Sequence, residues 1–158
     1  MDNKREMLRH CLATLAYRGG KVMRGAPAEF AGYCANETTR TPAEILAHLG
    51  DLFDWALAIA QGREVWKNSP TLTWDQGVDR FFAALGRFDA YLASDEPLHS
   101  PEERLFQGPI ADALTHVGQL AMLRRMAGTP VRGENYFVAR IDVGRVGSEQ
   151  APARVEFD

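Results

Sequence analysis

Thr41-Pro42-Ala43-Glu44-Ile45-Leu46-Ala47-His48-Leu49-Gly50-Asp51-Leu52-Phe53 is the stretch from which the fold is read. Thr41 is a helix-capping residue, Pro42 suits the first helical position, and Glu44 lies three residues on, where its carboxylate can reach back to the cap amide. Beyond this start Ile45, Leu49, Leu52, Phe53, Ala56 and Ile59 recur at helical spacing, and the pattern closes near Gly62. The segment therefore predicts an amphipathic helix with one face turned to a core.

The same pattern recurs on both sides. Asn3 to Arg18 carries Met7, Leu8, Cys11, Leu12 and Leu15 on one face, and Gly19-Gly20 is expected to end or loosen that helix. Thr73-Trp74-Asp75-Gln76 is a second capping box, followed by Val78, Phe81, Phe82, Leu85, Phe88 and Leu92. Ser100-Pro101-Glu102-Glu103 opens a fourth helix that Gly108-Pro109 interrupts. Proline lacks an amide proton and clashes in a helix interior, so a short helix, a break and a long helix from Pro109 to about Gly128 are expected. Four amphipathic helices joined by short and medium loops predict an all-α, four-helix bundle, a single domain over residues 1–158 with its core at about 3–128. Residues 129–158 read as an extended tail, packed over the bundle or across a subunit boundary. Within it, Tyr136 to Val146 alternates loosely as a strand would.

Composition narrows the function classes. Apolar residues make up 46% and charged residues 25% of 158, as in an ordinary globular chain, and the net charge is −3. Without a basic footprint, nucleic-acid binding is not expected. No run approaches the roughly 20 apolar residues of a membrane helix, and the charged first ten residues do not resemble a secretory signal, so a cytoplasmic location is expected. Cys11 and Cys34 are too few for a disulfide scaffold, and both read as small buried apolar residues. Signatures for a nucleophile elbow, a phosphate-cradling loop or a dinucleotide fold are absent.

Among four histidines, His10 and His99 read as solvated surface residues. His48 and His116 instead border apolar stripes, where a polar group must be hydrogen-bonded or bind something. Asp112 precedes His116 by four residues and so shares its helix face. With His48 from a facing helix, two imidazoles and a carboxylate suit Zn, Ni, Fe(II) or Mn with positions left open. The ordinary uses of these residues stand beside that reading. Asp112 also complements the helix dipole near the helix start, and either His can be a satisfied buffer between core and surface. Gln119 can orient His116 or simply favour the helix, Trp55 can wall a pocket or fill the core, and Arg124 and Arg125 suit the dipole at the helix end.

The run Gly108-Pro109-Ile110-Ala111-Asp112-Ala113-Leu114-Thr115-His116-Val117-Gly118-Gln119-Leu120-Ala121-Met122-Leu123-Arg124-Arg125-Met126-Ala127-Gly128 resembles the fourth-helix signature of DinB/YfiT-like proteins, in which a metal-binding His leads through Gly-Gln into an apolar run. The stretch from Thr41 to Leu52 resembles their second helix, which provides the first metal-binding His. The resemblance spans about Arg5 to Gly128 and implies a bundle of up-down-down-up type. Position by position it makes His48 and His116 the first and last metal ligands. Asp112 falls where most members have His and where the related mycothiol-dependent maleylpyruvate isomerases have Glu, one methylene longer. Asp51, one turn after His48, is then a reserve ligand or a supporting partner. The resemblance further implies a Zn- or Ni-dependent (or Fe- or Mn-dependent) hydrolase or transferase of a low-molecular-weight thiol, a small-molecule substrate and a homodimer. The alternative is a non-catalytic dimeric bundle whose metal site has decayed through Asp112.

Overall fold

The computed structural model describes residues 3–157. The chain is mostly helical: α1 spans Asn3–Met23, α2 Pro42–Ala60, α3 Trp74–Ala93, the single-turn α4 Glu102–Leu105, and α5 Ala111–Met126. Both predicted capping boxes form. The Thr41 amide donates to the Glu44 carboxylate at 2.7 Å while the Glu44 amide donates back to the Thr41 hydroxyl, and Thr73 and Gln76 repeat the exchange. Each box satisfies two amides that a helix start otherwise leaves unpaired.

The main helix contacts run from α1 to α3, α3 to α2, α2 to α5 and α5 back to α1. They enclose Leu12, Leu15, Leu49, Phe53, Phe81, Leu85 and Phe88, all inaccessible to solvent. Phe53 lies at the middle of this core, with its ring centroid 6.0 Å from Phe81 and 6.5 Å from Phe88. Burying side chains of this size contributes roughly 1.5–3 kcal/mol each and drives the packing of the four long helices.

Three local expectations are corrected by packing. Gly19-Gly20 does not end α1, which continues to Met23 with both glycines buried. A Cβ on Gly19 would meet the Phe81 ring at 3.3 Å, so the missing side chain makes room for a neighbouring helix. Nor does Gly108-Pro109 break the fourth helical segment. Phe106–Ile110 forms a π-turn between α4 and α5, where the Ala111 amide reaches the Phe106 carbonyl five residues back. The wide turn houses the proline ring without leaving the helical path, and its extra residue turns every later side chain by about 100° about the axis. Cys34 is exposed rather than buried, its thiol donating to the Asn36 carbonyl, while Cys11 is half-buried.

The tail is also redrawn. Tyr136 to Val146 is no strand: Tyr136–Val138 forms a 3-10 turn. The pairing lies outside it, where β1 (Gly133–Glu134) runs antiparallel to β2 (Glu156–Phe157). A Cβ at Gly133 would lie 2.6 Å from the exposed Phe157 ring, which would have to shift. The tail straps over α1 of its own chain. The Glu134 carboxylate accepts from the Tyr17 hydroxyl at 2.5 Å and from Lys21 at 2.8 Å, and Lys21 also holds Glu156 at 2.7 Å. Among the described residues no helix is long and apolar enough to cross a membrane.

Candidate metal centre

α2 and α5 pack against each other, and their contact brings together residues 64 and 68 positions apart in sequence. His48 projects from the second turn of α2. Asp112 and His116 project from α5 one turn apart, their face set by the π-turn that precedes them. His48 Nε2 lies 3.3 Å from one Asp112 oxygen and His116 Nε2 lies 3.5 Å from the other. One donor atom from each of the three residues falls within 4.8 Å of the other two. This His-Asp-His group can hold a metal ion, and among the described residues no other His, Cys, Asp and Glu cluster does so.

The donor spacing fits an ion. Zinc bonds to nitrogen and oxygen of about 2.1 Å in a tetrahedron place donors about 3.4 Å apart, a spacing inside the 4.8 Å within which one donor atom from each residue lies here. The tautomers fit too. Gln119 Oε1 lies 2.7 Å from His116 Nδ1, and an amide oxygen only accepts, so Nδ1 carries the proton. In neutral His116 the Nε2 lone pair then faces the Asp112 carboxylate. Ligating histidines are ordinarily fixed by such an outer hydrogen bond from the other ring nitrogen. His48 is held below the ordinary imidazole value. Burial is the main cause, the hydrogen bond to Asp112 opposes it, and the charges of His116 and Arg40 add to it. The lowering favours the neutral imidazole, the form that ligates metals.

Exposure differs across the group: the His48 and His116 side chains are 19% and 12% exposed, whereas Asp112 is 46% exposed. The imidazoles line a cavity of about 690 Å³ between the loop at residues 35–40 and the outer half of α5.

The loop at residues 61–73 closes the site from the side. Trp66 sits with its ring centroid 5.6 Å from that of His48, and Trp55 packs edge-on to Trp66 at 5.7 Å. Trp55 therefore reaches the site only through Trp66, from a half-buried position beside Gly108. Trp66 carries no sequence signal beyond being a large aromatic in a loop, and only the fold brings it to His48.

Asp51 is committed elsewhere. Its carboxylate accepts from Arg80 of α3 at 2.7 Å and from the Ser69 amide at 3.0 Å, so it anchors the Trp66 loop rather than standing in reserve for a metal. Gly50 makes this possible, because a Cβ there would collide with the Arg80 guanidinium at 2.7 Å. Arg124 is likewise structural. It is buried and donates to the carbonyls of Val22, Arg24 and Thr129, closing the end of α1 rather than meeting a ligand. His10 and His99 lie outside the cluster, and His99 is exposed beside Gly62.

No protein-family model, no curated protein and no solved structure matches the chain.

Proposed function

We propose that this protein is a divalent-metal-dependent enzyme acting on a small molecule, either a hydrolase or a low-molecular-weight-thiol S-transferase, on the up-down-down-up four-helix bundle plan of the DinB/YfiT-like family. The observation that carries this reading is the convergence of His48, Asp112 and His116 beside a cavity of small-molecule size. Two imidazoles and one carboxylate favour a borderline ion, Zn or Ni ahead of Fe(II) or Mn. When bound, such an ion supplies Lewis acidity toward an oxygen or sulfur of a substrate in the cavity.

The chain's own residues have separable tasks. His48 and His116 hold the ion and Asp112 contributes the negative charge that offsets it. Gln119 keeps the His116 proton on Nδ1, leaving Nε2 free to ligate. Trp66 covers one side of His48 and excludes water from it. The family resemblance extends to a homodimer, and association through helix faces and the tail is expected. Light scattering is expected to give twice the chain mass, and a monomer at micromolar concentration would sink the dimer.

A second reading rests on one specific observation: the Asp112 carboxylate lies within reach of both imidazoles, so side chains alone can occupy the group. On that reading the bundle is non-catalytic and its metal site is degenerate. Metal analysis by mass spectrometry on wild type, His48→Ala and Asp112→Ala separates the two. The enzyme reading expects about one ion per chain in wild type, lost in His48→Ala. Wild type that stays metal-free after incubation with Zn or Ni leaves the second reading in place.

A further inference from the structure

We infer that the cavity beside the metal ligands selects an organic anion with an apolar body, and that Arg40 is the residue that reads its charge. The inference deepens the enzyme reading by naming a substrate class, and it rests on that reading for the chemistry though not for the binding.

Among the described residues that line the cavity, Arg40 alone carries a permanent charge. No carboxylate lines it; Asp112 meets the imidazoles from outside the lining. Two acidic groups lie near Arg40 in sequence: Glu37, which does not line the cavity, and Glu44, which feels the Arg40 charge but whose carboxylate is engaged by the amide and hydroxyl of Thr41. The backbone on both sides of Arg40 is braced. The capping box fixes the backbone immediately after it. Before it, Asn36 Oδ1 accepts from the Thr38 amide at 3.0 Å and the Thr38 hydroxyl at 2.8 Å, bracing the loop. Across the cavity α5 presents Met122, Leu123 and Met126, with Met122 and Met126 exposed. Flexible thioether side chains of this kind accommodate aliphatic bodies of varied shape. A ligand spanning the space places an anionic end at Arg40, its body against the methionines and its middle at the imidazoles. A neutral or cationic ligand gains nothing from Arg40.

Because Arg40 is exposed, solvent weakens its attraction, and the expected preference is about two- to fivefold rather than larger. Isothermal titration of the full chain with octanesulfonate and with octanamide at neutral pH and low salt measures it. A sulfonate is a poor ligand for divalent ions, so its charge is read apart from any coordination. Wild type is expected to bind octanesulfonate about two- to fivefold more tightly. Arg40→Gln should abolish the preference while leaving octanamide affinity unchanged, and Arg40→Lys should keep most of it. Met126→Asp should weaken both ligands. Equal affinities in wild type, no binding of either ligand up to millimolar concentration, or a preference that survives in Arg40→Gln would overturn the inference. Metal content measured on the same samples separates the two readings. A preference lost in Arg40→Gln in protein that holds no ion keeps the anion site and removes the enzyme. One ion per chain without a preference does the reverse.

Discussion

Replacing Arg80 with Met should cost about 3 kcal/mol of folding stability and release the loop that covers His48. The guanidinium donates to Asp51 at 2.7 Å, to Asp54 at 2.8 Å and to the Ala47 carbonyl at 3.0 Å. These bonds are unequal. Asp54 is largely exposed, so its pair contributes about 1 kcal/mol or less. The Ala47 carbonyl already serves α2, and losing its second donor costs about 1 kcal/mol. Asp51 dominates, because its side chain is 5% exposed and would keep only the Ser69 amide. Stranding a fully buried partner costs about 3–5 kcal/mol, a range discounted here to about 2 because the Arg80 side chain is 20% exposed and water can enter. Methionine fills much of the vacated volume, so the cavity contribution is small. At this chain length the melting temperature should fall by about 6–12 °C. Urea unfolding of wild type, Arg80→Met, Asp51→Asn and the double variant measures the pair. In the Asp51→Asn background the Arg80 substitution should cost at most about half as much, a coupling above about 1 kcal/mol. Trp66 emission should shift in Arg80→Met before global unfolding, because Asp51, no longer fixed by Arg80, holds Ser69 through a single bond. An Arg80→Met cost below about 1 kcal/mol, or the same cost in both backgrounds, would refute the reasoning.

Gln119→Leu should lower metal affinity about 10–100-fold without abolishing binding, as judged by competition with a chelator, because the His116 proton loses its acceptor. Unchanged affinity would mean that Gln119 does not set the tautomer. Quenching of tryptophan fluorescence by added Ni should depend mainly on Trp66, whose ring lies 5.6 Å from His48. Trp66→Phe should remove most of the signal, and a full signal in that variant would place the ion elsewhere. The Tyr17 hydroxyl is held well above its ordinary value of 10.0, first by burial and then by its hydrogen bond to the Glu134 carboxylate. The folded state keeps a proton that the unfolded chain gives up, so this contribution is complete below about pH 10 and fades as pH rises further. Wild type should therefore lose stability more steeply than Tyr17→Phe above about pH 10 in denaturant titrations, and parallel curves would exclude Tyr17 as the cause.

What the sequence by itself determined is local. The capping boxes at Thr41 and Thr73 follow from hydrogen bonds across three residues, so their sequence marks are decisive once an apolar stripe follows. The placement of Asp112 and His116 on one helix face follows from helical geometry alone, and the bordering of an apolar stripe by His48 was readable in the same way. The tertiary structure decided everything that depends on partners distant in sequence. Gly19-Gly20 carries the local mark of a helix end, but the rings of Phe81 and Phe82 pack where side chains would otherwise stand, so α1 continues. Pro109 carries the mark of a break, but a π-turn absorbs it and resets the face of α5. Tyr136 to Val146 alternates as a strand does, yet a strand needs a partner, and the tail pairs outside that stretch, at Gly133–Glu134 with Glu156–Phe157, where Glu134 also meets Tyr17 and Lys21. Asp51 is one turn from His48 by spacing, and Arg80 reaching across Gly50 claims it. Trp66 comes to His48, and Arg40 to the cavity rim, through loops whose course is set by contacts with other helices. Short-range hydrogen bonding and periodicity are written in neighbouring residues, whereas which surfaces meet is a property of the whole packed chain.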